Sequence, residues 1–127
     1  MSRAIADTSV LIAREAGRDL GELPDELAIS VITAAELELG VLRARDTATR
    51  ARRLATLTRA RSAMTLLPID SETGSCFARL AASEREAGRK VRLHDAWIAA
   101  TAMRHGASVL TQDADFTAFA DVPVLRV

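Results

Sequence analysis

RAIADTSVLI, residues 3–12, sets one carboxylate, Asp7, between two apolar runs. The first run, Ala4-Ile5-Ala6, is short and continuous, as a strand buried on both faces is; the second, from Thr8 to Gly17, has helical spacing and a glycine stop. A buried strand that runs straight into a helix is the opening of an α/β unit. Asp7 then stands at the carboxyl end of that strand, where open α/β sheets bind their ligands.

The same alternation continues along the chain. LAISVI (27–32) reads as a second strand, TAAELELGVLRAR (33–45) as the helix after it, and TATRARRLATLTRAR (47–61) as an arginine-rich second arm that continues in helical register. AMTLLPI (63–69) reads as a third strand, followed by a helix over 71–88 opened by Asp70 or Ser71 and stopped by Gly88. HDAWIAATAMRHG (94–106) is helical and ASVLT (107–111) a fourth strand. DADFTAFA (113–120) is a short helix or turn, and VPVLRV (122–127) a last, edge strand. The expected class is α/β with a central, mostly parallel sheet, in one domain over 1–127.

Composition bounds the function. Hydrophobic residues make up 49% and charged residues 27% of 127 residues, the balance of a globular domain. Asp7 interrupts any cleavable apolar leader and no stretch approaches the ~20 apolar residues that span a bilayer, so no membrane role is expected. A single cysteine, Cys76, excludes an internal disulfide and a clustered thiolate metal site, and fits a reducing cytoplasm. The formal net charge is zero, yet charge is segregated: seven arginines and one acid lie between Arg43 and Arg61, while residues 1–40 hold eight acids against Arg3, Arg14 and Arg18.

Four further acids fall near strand ends or helix starts: Glu36, Asp95, Asp113 and Asp115. Each has a structural explanation on its own. Thr33-Ala34-Ala35-Glu36 has the spacing of a capping box, Asp95 in a first helical turn favours the helix dipole, and Asp113 and Asp115 suit a turn. Asp7-Thr8-Ser9 reads equally as an N-cap. Their joint placement is harder to explain structurally, because two carboxylates ~4 Å apart repel by about 4 kcal/mol at an effective dielectric of 20. A divalent cation removes that cost. An all-oxygen donor set suits Mg²⁺ or Mn²⁺, and such a centre suits phosphodiester hydrolysis. With only His94 and His105 and no paired thiolates, zinc is a poor competitor.

ADTSVLI, ISVITAAELELGV, LHDAWIAATAMRHG and VLTQDADF, in that order and spacing, resemble the PIN-domain ribonucleases, specifically the VapC-type toxins of bacterial type II toxin–antitoxin pairs. The resemblance runs from Ala4 to the last strand and implies a three-layer PIN-like fold. It places the family's metal-binding acids on Asp7, Glu36, Asp95 and Asp113, with Asp115 as a secondary ligand. Thr8, Ser9, Ser30 and Thr111 match hydroxyl positions that support the carboxylates. It further implies Mg²⁺- or Mn²⁺-dependent endoribonuclease activity leaving 5′-phosphate and 3′-hydroxyl ends, a homodimer, and a VapB-type antitoxin forming a heterotetramer or larger assembly. Arg43, Arg45, Arg50, Arg52, Arg53, Arg59 and Arg61 are then candidates to meet RNA phosphates or an acidic antitoxin segment, against a solvated helix face.

Two other readings stay open on the residues alone. A PIN-fold module that binds RNA or protein without cutting is one. A haloacid-dehalogenase-like phosphatase is the other, though such enzymes place a second Asp where Ser9 stands and need a lysine, and Lys90 lies outside any strand-end motif. Trp97 and Cys76 read as core, and His94 as a residue of the helix start.

Overall fold

The computed structural model describes residues 3–24, 26–114, 116, 119 and 121–127. In chain order these form β1 (Arg3–Ala6), α1 (Thr8–Glu15), β2 (Glu26–Ser30), α2 (Val31–Leu42), α3 (Thr47–Ala63), β3 (Thr65–Leu67), α4 (Ser71–Glu86), α5 (Leu93–Arg104), β4 (Ser108–Thr111) and β5 (Val124–Arg126). The strands lie in the order β3-β2-β1-β4-β5 and every pairing is parallel. The chain steps outward from β1 to β2 and β3, then crosses to the other side of β1 for β4 and β5. The reversal falls between β1 and β4, and the crevice at the carboxyl ends of those two strands is where such a sheet accepts a ligand.

Alternation within β1 divides the core between two faces. Ile5 joins Val109, Leu80, Ile98 and Ala99 beneath α4 and α5; Ala4 and Ala6 join Ile29, Val10, Leu37 and Leu57 beneath α1, α2 and α3. The result is a helix–sheet–helix sandwich with the central strands buried on both sides. Ala96, Ala99, Ala100 and Ala102 of α5 are wholly buried, and their small side chains let the helix backbone lie close to the sheet. Cys76 is core as expected. Trp97 is half-buried and stacks on Phe77 with ring centroids 4.0 Å apart, so it covers the core edge rather than filling it.

The helix starts correct two sequence expectations. β2 stops at Ser30, and Val31 and Ile32 open α2 instead of ending a strand. Ser30 is the N-cap, its Oγ accepting from the Thr33 N–H at 3.1 Å. Thr33 is therefore inside the helix, no capping box forms between Thr33 and Glu36, and the Glu36 carboxylate is left for other contacts. Likewise 33–45 and 47–61 are separate helices, because Asp46 caps α3 through the Thr49 N–H at 2.8 Å.

Asp70 caps α4 in a capping box with Thr73. Hydrogen bonds from the Thr49 and Thr73 backbones hold the Asp46 and Asp70 carboxyls below their ordinary 3.8, and the Arg89 side chain holds Glu84 below its ordinary 4.5. Groups with lowered folded values contribute stability above the unfolded values and lose it as pH falls through the folded ones. The thermal midpoint is accordingly expected to hold above about pH 5 and to drop steadily below it. Calorimetry of an Asp46→Asn/Asp70→Asn variant, whose midpoint must depend less steeply on acid than the wild type's, checks this.

Candidate functional site

Asp7 follows the last residue of β1 and occupies the N-cap position of α1, but its side chain caps nothing. It is 7% exposed. Its Oδ2 instead accepts from two hydroxyls, Ser9 Oγ at 2.9 Å and Thr111 Oγ1 at 2.7 Å. Each hydroxyl in turn accepts a backbone N–H from the segment after β4: Gln112 N–H donates to Ser9 Oγ and Asp113 N–H to Thr111 Oγ1, both at 2.9 Å. Two hydroxyls thus orient the buried carboxylate and pin the loop that carries Asp113.

The next residue, Thr8, donates from Oγ1 to Glu36 Oε1 at 2.8 Å, tying α1 to α2. Glu36 Oε2 faces His94 Nδ1 at 3.4 Å. On the same first turn of α5, Asp95 Oδ2 lies 3.4 Å from Arg92, and the other arm of that guanidinium lies 3.9 Å from Asp113 Oδ2. The contacts close a ring at the switch point: Asp7, Thr111, Asp113, Arg92, Asp95 with its helix neighbour His94, Glu36, Thr8. Asp7, Glu36, Asp95 and Asp113, from four separate segments, all belong to it.

The ring is not a tight cluster. Among the described residues, no three of His, Cys, Asp and Glu stand within reach of a single ion. The chemistry of the set nonetheless fits a hard divalent cation: every carboxyl donor is an oxygen, no thiol is near, and a positive group already bridges Asp95 and Asp113 in the form of the Arg92 guanidinium. Arg92 escaped the sequence reading, although its i, i+3 spacing to Asp95 is the available signal.

Other candidates sort differently. Ser30 caps α2 and touches no site carboxylate. Asp115 lies outside the described residues. Arg53 pairs with Glu15 of α1 at 2.8 Å in a partly buried contact, and Arg61 pairs with Glu38 of α2 at 2.8 Å on the surface. Arg50 donates to the Ala44 carbonyl and Arg52 to Thr49. Arg43 and Arg45 are exposed on the rim of a groove of about 390 Å³ that starts at Glu36 and has Ile12, Leu37 and Gly40 in its floor.

Residues 4–122 match the model of the PIN domain family. Ribonuclease VapC5 of Mycobacterium tuberculosis is 47% identical over 128 residues, covering 97% of this chain and 94% of the relative. The chain belongs to the VapC family of PIN-domain ribonucleases. Ribonuclease VapC4 of the same organism is 43% identical, covering 98% of this chain and 97% of its own length. The crystal structure of VapBC-5, a member of the VapBC family of toxin–antitoxin systems from Mycobacterium tuberculosis, superposes with a TM-score of 0.86 at 43% identity over the whole of both chains. The VapC fold is the five-stranded parallel sheet flanked by helices described above, and the phosphatase alternative falls away with it. No helix among the described residues is long and apolar enough to cross a membrane.

Proposed function

We propose that the chain is a cytoplasmic Mg²⁺- or Mn²⁺-dependent endoribonuclease toxin, a single nuclease domain over 1–127, restrained by a VapB-type antitoxin. The observation that carries the reading is the ring of Asp7, Glu36, Asp95 and Asp113 at the switch point, built from four segments and joined by Thr8, Ser9, Thr111 and Arg92. Those four carboxylates are the residues that would hold the cation, with Asp115 as the secondary candidate. A divalent cation held by those residues would supply a water of lowered pKa and a counter-charge for an RNA phosphodiester, chemistry that suits hydrolysis to 5′-phosphate and 3′-hydroxyl ends.

The chain's own groups prepare that chemistry. Ser9 and Thr111 both donate to Oδ2 of Asp7 and so fix its carboxylate in one orientation. Thr8 holds Glu36 by Oε1. Arg92 keeps Asp95 and Asp113 from splaying apart and brings a planar, permanently charged donor group to the place where a phosphate would enter. The groove that starts at Glu36 is lined by apolar Ile12 and Leu37 and by the exposed Arg43 and Arg45 beside Asp46, and those two arginines are the groups offered to RNA phosphates or an acidic antitoxin segment. A homodimer, and a heterotetramer or larger assembly with the antitoxin, completes the reading.

Mapping new 5′-phosphate RNA ends after brief induction, in cells lacking an antitoxin, tests it. Wild type is expected to create ends at a few defined positions and Asp95→Asn at none. Identical end maps from two soluble, folded proteins would instead leave a module that binds without cutting.

A further inference from the structure

One positive group already faces two acids of the ring. The Arg92 guanidinium lies 3.4 Å from Asp95 Oδ2 by one arm and 3.9 Å from Asp113 Oδ2 by the other, so a single planar fork answers carboxylates from α5 and from the segment after β4. Arg92 stands at the N-cap position of α5, but its side chain does not cap the helix. A guanidinium does not shed its proton in a protein, so it is a permanent counter-charge to the two acids.

Its hold on them is loose. Arg53 and Glu15, which join α3 to α1, meet at 2.8 Å, the length of a charge-assisted hydrogen bond. The two Arg92 contacts are longer, and its side chain is 47% exposed against 29% for Arg53. Contacts of that length rest on charge more than on hydrogen-bond geometry, and a half-exposed side chain gives them up with little loss of burial. Arg92, Asp95 and Asp113 have further interactions as well; what matters for a cation is that two of the acids that would hold it already face a positive group.

A divalent cation on Asp95 and Asp113 neutralises the charge that attracts the guanidinium and repels the guanidinium itself, so that ion pair weakens as the cation binds. The displaced group stays charged and stays beside the site, tethered at the start of α5. Its fork matches a phosphate as well as it matches a carboxylate, and the substrate's phosphodiester is an anion that reaches the same crevice.

We propose that Arg92 is an exchangeable counter-cation that becomes a phosphate ligand: it balances Asp95 and Asp113 until a divalent cation takes them, then turns to the RNA phosphate, so that cation and phosphate bind cooperatively. The proposal rests on the function proposed above and assigns Arg92 its part in it.

The test uses the full chain and two binding measurements. Calorimetric titration with Mn²⁺ alone compares wild type with Arg92→Gln, with Arg92→Lys, which keeps the charge but not the fork, and with Lys90→Gln, which removes a positive charge two residues away. Binding of a short single-stranded DNA oligonucleotide, a phosphodiester probe that lacks the 2′-hydroxyl, is then measured with and without saturating Mn²⁺. Arg92→Gln is expected to bind Mn²⁺ about tenfold more tightly than wild type, and Mn²⁺ to tighten oligonucleotide binding about tenfold in wild type but about twofold or less in Arg92→Gln, couplings of ordinary size. Arg92→Lys falls between the two, and Lys90→Gln binds Mn²⁺ as wild type does. The opposite signs are the signature, since losing a side chain that merely braced the site would weaken both ligands. Unchanged or weaker Mn²⁺ binding by Arg92→Gln overturns the proposal, as does an equal gain in Lys90→Gln or an undiminished effect of Mn²⁺ on oligonucleotide binding. Wild type that binds no Mn²⁺ sinks the functional reading and the proposal together, whereas wild type that binds Mn²⁺ while Arg92→Gln binds it no better sinks the proposal alone.

Discussion

Asp7→Asn is expected to lower RNA cleavage by at least about a thousandfold, because a bound cation and its oriented water account for several kcal/mol of transition-state stabilisation and each 1.36 kcal/mol is tenfold in rate. The fold should survive. Asn offers a carbonyl oxygen in the place of Oδ2, so the Ser9 and Thr111 hydroxyls keep an acceptor, and the packing around a side chain of nearly the same shape is undisturbed. Removing a negative charge that is almost wholly buried removes its desolvation cost, so the melting temperature is expected to stay level or rise, as residues kept for function often allow. Mn²⁺ should raise the melting temperature of wild type and leave that of the variant unmoved. A folded Asp7→Asn protein that still cuts RNA at the wild-type rate would remove Asp7 from the chemistry.

Asp7 was legible because two periodicities met at it. A strand buried on both faces cannot hold a charge in its interior, and a helix start can, so the boundary between Ala6 and Thr8 marked both the element ends and the site. Asp113, just after β4, and Asp95, in the first turn of α5, hold positions of the same kind, whereas Glu36 lies in the second turn of α2. Where α2 begins was less clear, because Val31 and Ile32 favour strands by side-chain shape. Two capping frames also overlap there, one on Ser30 and one on Thr33. The Ser30 frame forms, which fixes Thr33 inside the helix and frees Glu36 for Thr8.

Contacts between distant segments were beyond the sequence. Arg53 and Glu15 are 38 residues apart, and only the packing of α1 on α3 makes that arginine a structural group rather than one free for RNA. Arg92 looked like an ordinary basic residue before a helix. Its partner Asp113 lies 21 positions on, and the fold alone brings them together.

Thr111→Val is the second large effect, and it separates the hydroxyl scaffold from the carboxylates it holds. Valine fills the same wholly buried space at the end of β4 but neither donates to Asp7 nor accepts from Asp113. Asp7 keeps Ser9 as a hydroxyl donor to Oδ2, and the Asp113 N–H loses its bond to Thr111. Losing these two hydrogen bonds costs about 1–3 kcal/mol, which for a domain of this size lowers the melting temperature by roughly 3–10 °C. The rate is expected to fall about ten- to a hundredfold beyond any loss of folded protein, since partners that orient a ligand carry that much of its function. Thr111→Ser, which keeps the hydroxyl, should restore most of the rate. Thr101 makes the comparison sharp: it is equally buried, but its hydroxyl donates to the Trp97 carbonyl within α5 and touches no site residue. Thr101→Val should therefore leave the rate unchanged. Equal rates for wild type and Thr111→Val, measured on folded protein, would mean that Asp7 needs no second hydroxyl and that Thr111 serves only to end the strand.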